Sequence, residues 1–321
     1  MSLSLGSTTI GSLYLGSTKV GEAYLGNVKM YESIDPYNPL GLPPFTIRCQ
    51  FTAGTTPAMG DSQTLVDATD NVWDITKNDT NWGNLFLQDA TLVSVLGANS
   101  TGVTYMHGLF LSCTNLASVA LFDTSSVLGV YYSQPGSMFG NCSSLTSVPC
   151  FDFSKVASLE QLFKACSSLV SIQDLKTDAN TSLKATFMQC TSLKSAPNMN
   201  TSHVTTMEGT FNGCTALESV PLYDTSSVTA FYGGKRGGAF SNCSALKSIP
   251  LFNTSSATTV REMFKGCKNV ESGALALYQQ MSTQATPPTT HNNTFLNCGL
   301  NTTTGAAELS QIPSSWGGTG A

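Results

Sequence analysis

A short phrase, phenylalanine followed three positions later by cysteine, recurs eight times and constrains the fold of this chain more than any other feature. The pairs are Phe110/Cys113, Phe139/Cys142, Phe163/Cys166, Phe187/Cys190, Phe211/Cys214, Phe240/Cys243, Phe264/Cys267 and Phe295/Cys298. Successive phenylalanines lie 29, 24, 24, 24, 29, 24 and 31 residues apart, and Phe86 with Asp89 forms a ninth, degenerate copy. A period of roughly 20–29 residues predicts stacked repeats that share one core.

Each repeat predicts a helix, a strand and a turn. Val204, Met207, Phe211 and Cys214 follow steps of 3, 4 and 3, which would place them on one face of a short helix. Residues 217–223 alternate and contain a β-branched residue, as in a short strand. An Asp-Thr-Ser turn follows and could cap the next helix. We therefore predict an α/β solenoid of about nine coils, with parallel strands on one face and helices on the other.

The repeated cysteines are interpreted as core residues. The protein has ten cysteines, but no Cys-x-x-Cys pair of the kind that zinc sites favour. Disulfides between neighbouring repeats are not expected in a reducing compartment. We expect the phenylalanines and cysteines of the repeat, from Phe110 to Cys267, to form internal columns together with the repeated leucines. No metal or other cofactor is expected, because the Asp123, Asp152 and Asp224 column suits turns better than calcium.

The repeat resembles a known family. The phrase from Met207 to Val228 contains F-x-x-C-x-x-L followed by D-T-S-x-V, and similar phrases cover residues 85–271. This pattern is similar to that of BspA-like leucine-rich-repeat proteins. The resemblance implies non-enzymatic binding at a surface, often adhesion.

A different repeat opens the chain. Residues 5–14, 15–24 and 25–31 share a Leu-Gly start and a tyrosine end, with a period of ten. A segment this short has too little core to fold alone, so it is expected to pack on copies of itself or on a partner. It resembles N-terminal segments of fibre and other virion proteins of gut Bacteroidales phages. A flexible glycine-rich leader is the alternative.

These features predict five segments. Residues 1–32 form an attachment or oligomerisation segment, and residues 33–45 form a proline-rich linker. Residues 46–84 form a small β cap, residues 85–271 the repeats and residues 272–321 a C-terminal cap that includes Trp316.

Two repeats contain an insertion of five residues between turn and phenylalanine. The first insertion is residues 127–139 and the second insertion is residues 228–240. Insertions at one point of a repeat project from one face, so the two could frame a shallow trough. Aromatic residues flanked by glycine suit binding of sugars or protein surfaces. The candidate binding residues are Tyr131, Tyr132, Phe231, Tyr232, Lys235 and Arg236, with the aromatic four expected to be partly exposed. Padding of the surface, or contact with a neighbouring subunit, is the alternative.

The net charge and the absence of several known motifs disfavour some classes of function. The net charge is −5, which disfavours binding of nucleic acid. No apolar run is long enough to span a membrane, and the first residues lack the charge and hydropathy of a secretory signal. No nucleophile elbow, P-loop or dinucleotide motif is present, so we expect no enzyme.

We therefore predict a phage virion structural protein, a head or tail fibre or appendage. It would be made in the host cytoplasm and bind other virion proteins through residues 1–32 and a host-surface glycan or protein through its repeats. A homo-oligomer is expected, and a trimer is implied by the fibre resemblance. The alternative is a BspA-like adhesin on the bacterial cell surface.

Overall fold

The computed structural model describes residues 35–132 and 136–320, together with the backbone of four short strands before them. These strands are β1 (Tyr14–Leu15), β2 (Thr18–Lys19), β3 (Ala23–Leu25) and β4 (Val28–Tyr31). β1 pairs with β2 and β3 with β4, both antiparallel. Each pair falls within the decapeptide segment.

A five-stranded sheet closes the N-terminal end of the core. It contains β5 (Thr46–Phe51), β6 (Ser62–Asp67), β7 (Val72–Thr76), β8 (Leu92–Asn99) and β9 (Ser118–Val119), in the order β6-β7-β5-β8-β9. Only β8 and β9 pair in parallel. Ile47, Cys49 and Phe51 alternate along β5 and are buried, as expected where one face of a strand meets the core. The sheet runs past residue 84 into the first repeats.

The remaining elements are short. β10 (Ser147–Val148) pairs in parallel with β11 (Ser171–Ile172), and β12 (Tyr232–Gly233) pairs antiparallel with β13 (Gly237–Gly238). The helices of the described residues are α1 (Ala274–Thr283) and α2 (Thr303–Leu309), with 3₁₀ turns at Gly234–Arg236 and Ser314–Trp316. None of these helices is long and apolar enough to cross a bilayer.

The prediction of an α/β solenoid is wrong. Among the described residues, the segments that precede the repeated phenylalanines contain no α-helix, and both α-helices lie C-terminal to the last regular repeat. The predicted continuous strand ladder is also absent there, because parallel pairing is confined to two-residue strands and single bridges such as Ser158–Ser182 and Ser182–Thr206. The chain instead forms a sheet-rich fold of small sheets joined by hydrogen-bonded turns.

Left-handed residues explain why the segment before each phenylalanine is not helical. Two positions before and two after Phe211, Gly209 and Gly213 have φ angles of 60° and 80°. The corresponding residues around Phe187, Ala185 and Gln189, have φ angles of 53° and 64°. A left-handed residue every fourth position cannot belong to an α-helix.

The backbone hydrogen bonds of these segments run in two directions. The amides of Ala185 and Phe187 donate to carbonyl groups of the next repeat, at Glu208 and Thr210, over 2.8 Å in each case. The amides that follow each of these, at Thr186 and Met188, donate three residues back within their own turns. Pairing between repeats therefore satisfies the groups that a helix would have paired internally.

The repeated phenylalanines lie in one phenylalanine column, Phe86, Phe110, Phe139, Phe163, Phe187, Phe211, Phe240, Phe264 and Phe295. Neighbouring ring centroids are 5.1 to 6.1 Å apart and the rings are stacked. All nine side chains are buried in one continuous core. Offset aromatic contacts add to the free energy of burial along this column.

The repeated cysteines form a second column of free thiols. Each thiol from Cys113 to Cys267 donates to the carbonyl oxygen of the phenylalanine in the preceding repeat, as Cys214 does to Phe187 over 3.0 Å. Burial raises the pKa of the Cys214 thiol to about 12. These cysteines therefore stay protonated and serve as small hydrogen-bonding core residues.

Candidate binding surface

The first insertion builds a pocket with the repeats before it. Tyr131 bridges Ser137 in antiparallel fashion and the Tyr132 amide donates to the Gly136 carbonyl over 3.2 Å, so both tyrosines lie at the base of the first insertion. Residues 133–135 of this insertion lie outside the described residues. The tyrosine pocket has a volume of about 300 Å³ and is lined by Asn81, Tyr105, His107, Gly129, Tyr131 and Tyr132.

Three rings of the tyrosine pocket pack against one another or against glycine. The Tyr132 and His107 ring centroids are 5.4 Å apart. A Cβ on Gly129 would lie 3.0 Å from the Tyr105 ring, and a Cβ on Gly83 would overlap the His107 imidazole. The glycines therefore let both rings lie close over the backbone, while Tyr105 and Tyr132 remain 44% and 62% exposed.

The tyrosine pocket is lined by neutral groups. Burial lowers the pKa of His107, so the imidazole is uncharged at neutral pH. Burial raises the pKa of Tyr131 most, and the nearby Glu160 carboxylate raises it further. The positive charge of Arg236 lowers this pKa and so offsets part of the rise. Both phenol and imidazole are therefore neutral hydrogen-bonding groups.

The second insertion is a closed hairpin. Its strands β12 and β13 meet through the register Tyr232 with Gly238 and Gly233 with Gly237. The Arg261 guanidinium carbon lies 4.7 Å from the centroid of the half-buried Tyr232 ring. Such a cation–π contact covers one face of the ring. Lys235 at the tip is exposed.

The expectation that Phe231 is exposed is wrong. Its side chain is fully buried in the main core, and its amide donates to the Thr259 carbonyl over 3.0 Å. Val228, three residues earlier, is also fully buried, whereas Tyr232, the next residue after Phe231, is half-buried, so Phe231 lies inward and Tyr232 outward. Of the four aromatic candidates, Tyr131, Tyr132 and Tyr232 are at least partly exposed.

An ion pair lies between the second insertion and a neighbour of the first insertion. Arg236 of the second insertion pairs with Glu160, 76 residues earlier, whose carboxylate also lies near Tyr131 of the first insertion. The carboxylate of Glu160 is 14% exposed, so the pair is partly shielded from water. The structure therefore joins Tyr131, Tyr132 and Arg236 in one region, with Tyr232 and Lys235 on the hairpin beyond it.

Sequence reasoning missed four residues of this region: Asn81, Tyr105, His107 and Glu160. The repeat period could have found Tyr105, because it lies 24 residues before Gly129 and bridges it in parallel. Asn81 bridges Tyr105 by the same step. Nothing in the sequence singles out Glu160, whose partner comes from a distant insertion.

The predicted turn role of the aspartates is seen in the hydrogen bonds. Asp123, Asp152 and Asp224 each accept from the backbone amide two residues ahead, over 2.9 to 3.0 Å. Within residues 35–132 and 136–320, no cluster of three or more His, Cys, Asp or Glu side chains is placed to hold a metal ion.

Most of the repeats match a known protein family. Residues 80–198 and 181–274 match a family described as "Mycoplasma protein of unknown function, DUF285", and together these matches cover more than half of the chain. The chain belongs to the DUF285 family. The match supports a BspA-like repeat protein, and the decapeptides of this DUF285 protein lie outside the matched residues, so a similarity to phage fibres is not shown. No curated protein matches the chain.

Proposed function

We propose that this DUF285 protein is a non-catalytic adhesin that binds another surface through the tyrosine pocket. The observation that carries the proposal is the clustering of the exposed Tyr105 and Tyr132 rings around a pocket built by the first insertion. Exposed tyrosines supply large contact areas at a small cost in side-chain entropy. Membership of a BspA-like repeat family supports this adhesin-like role.

One small pocket is expected to bind weakly, so strong attachment requires several copies of the protein. The tyrosine pocket offers far less than the roughly 800 Å² per partner of a standard protein interface. Several copies on one particle or cell would raise the overall binding strength through effective concentration. We therefore propose that the protein acts as an array.

Bead attachment tests the adhesin proposal. Beads coated with the full chain should attach to fixed epithelial cells or to bacterial cells, and beads coated with Y105A/Y132A protein should attach several-fold less. Beads coated with the L251A variant are the matched control, because Leu251 is also exposed, at 54%, and lies outside the pocket. Equal attachment of the wild-type and double-variant beads, or no attachment of either, would contradict the proposal.

A virion role is the second candidate, favoured by the decapeptide segment. Its antiparallel pairs β1/β2 and β3/β4 repeat at the decapeptide period and have too few residues for a core of their own. We propose that residues 1–32 would then attach the chain, as a homo-oligomer, to other virion proteins. Immunogold electron microscopy separates the candidates: labelling of phage particles supports the virion role, and labelling of the bacterial envelope alone supports the adhesin.

A further inference from the structure

The tyrosine pocket carries a more specific inference, which rests on the proposed function. We propose that it binds a neutral carbohydrate, with one sugar ring lying against the exposed faces of Tyr105 and Tyr132. The lining residues supply both aromatic surface and hydrogen-bonding groups.

The rings offer flat apolar surface in a concave site. Tyr105 and Tyr132 are exposed large hydrophobic side chains, and both border the pocket. The C–H groups on one face of a sugar ring complement the negative face of an aromatic ring. A concave site about 300 Å³ in volume suits a small ligand or the end of a glycan better than a protein surface.

The polar groups around the rings suit hydroxyl groups. Asn81 supplies an amide donor and acceptor, His107 an uncharged ring nitrogen pair, and the tyrosines phenolic hydroxyls. Each of these groups can both donate and accept, as a sugar hydroxyl does. Such a set can orient a polyhydroxylated ligand without requiring charge on it.

Charge distribution argues against an ionic ligand. Two carboxylates lie near the pocket: that of Glu160 is paired with Arg236, and that of Asp79 accepts from the Asn81 amide over 3.0 Å. Further along the same face, Lys184 lies 3.5 Å from Glu208. The described residues that line the pocket include no lysine or arginine, so desolvation of a carboxylate or sulfate on the ligand would be uncompensated there.

The pocket is also held in place before any ligand arrives. Gly83 and Gly129 let the His107 and Tyr105 rings lie against the backbone, and Tyr132 contacts His107. The Arg236–Glu160 pair ties the neighbouring loop base to the second insertion. Rings that are already ordered lose little entropy on binding.

Periodate treatment of the target cells tests the class of ligand. Periodate cleaves sugars with adjacent hydroxyls, so it should abolish attachment of wild-type beads, whereas protease or sialidase treatment should leave attachment. Loss of attachment after protease but not after periodate would overturn the carbohydrate inference while leaving the adhesin proposal standing. Loss after sialidase would point to an acidic sugar and would equally overturn it.

Affinity electrophoresis of the full chain tests the residues. In native gels containing yeast mannan, galactomannan or mixed-linkage β-glucan, at least one neutral polysaccharide should retard the wild type. Y105A and Y132A should each weaken that retardation about tenfold, whereas Y132F, which keeps the ring, and L251A should stay within about threefold. Retardation by heparin alone, by none of the polysaccharides, or equally for wild type and alanine variants would overturn the inference.

Discussion

At the scale of single residues, the repeat places side chains of very different burial next to one another. Leu217 is fully buried, and Leu222, five residues later in the same segment, is 68% exposed. The two side chains are identical and lie in the same repeat but differ in burial, so a comparison of their alanine variants separates the effect of burial from that of residue type.

L217A should therefore lower the free energy of unfolding by about 2–5 kcal/mol, because it removes buried methyl groups and leaves a cavity. L222A should change it by less than about 0.5 kcal/mol. Urea denaturation followed by circular dichroism measures both. Equal midpoints for the two variants would show that the leucine at position 217 does not lie in the core.

The buried thiols make stability depend on alkaline pH. Burial raises the pKa of Cys214 from 9.0 to about 12, so the folded state holds this proton more tightly than the unfolded state. The resulting stabilisation is complete below pH 9 and is lost as the pH rises toward 12.

We expect the free energy of unfolding of the wild type to fall above pH 9. In C214A, this free energy should fall less steeply, by about 1.4 kcal/mol per pH unit, because one titrating thiol is gone. Urea denaturation between pH 7 and 10.5 measures the slopes. L217A removes no ionisable group and should keep the wild-type slope. A C214A slope equal to that of the wild type would contradict burial of the thiol.

At the scale of elements, the second insertion depends on glycines that bring two backbones together. A Cβ on Gly238 in β13 would clash with the Glu262 carbonyl group of the next repeat. At Gly234, in the adjoining 3₁₀ turn, φ is 39° and nothing lies within 4 Å of an added Cβ. The two positions distinguish a steric requirement from a conformational one.

G238A should destabilise the protein by about 1–3 kcal/mol, because backbone atoms must shift to admit the methyl group. G234N should be nearly neutral, since asparagine tolerates left-handed conformations. Differential scanning fluorimetry compares the two. A greater loss of stability for G234N than for G238A would show that backbone conformation dominates in this hairpin.

The apolar spacing predicted which residues of each repeat are buried but not the backbone conformation between them. Steps of 3, 4 and 3 between apolar residues indicate a helix, but a series of turns can bury the same residues. Glycine or asparagine before the repeated cysteine, as in Gly213, Asn242 and Gly266, was the overlooked signal, because these residues favour positive φ. Ala185 and Gln189 adopt positive φ without such a preference, so their conformation depends on pairing with the next repeat.

At the scale of the whole molecule, one core runs from the N-terminal sheet to the C-terminal helices. Trp316 ends it: its ring stacks on His291 at 4.1 Å between centroids and meets Tyr278 edge-on at 5.4 Å. The Phe295 amide donates to the Trp316 carbonyl over 2.9 Å. The Trp316 backbone thereby pairs with the last phenylalanine of the column, and its side chain packs at the C-terminal end of the core.

W316A should lower stability by about 3–5 kcal/mol and expose the end of the core, increasing binding of the dye ANS. L300A, at a site 52% exposed in the same C-terminal region, is the matched control and should bind dye as the wild type does. Unchanged dye binding and stability in W316A would show that other residues close this end.

The sequence alone determined which side chains of the regular repeats enter the core, since burial there follows from apolar character and a regular spacing that repeats along the chain. It also located both insertions, because each interrupts that spacing. The tertiary structure decided the backbone path through turns, the inward position of Phe231 and the assembly of the tyrosine pocket. Those depend on hydrogen bonds, close glycine contacts and an ion pair between residues that lie 24 to 76 positions apart, and local spacing carries no information about such contacts.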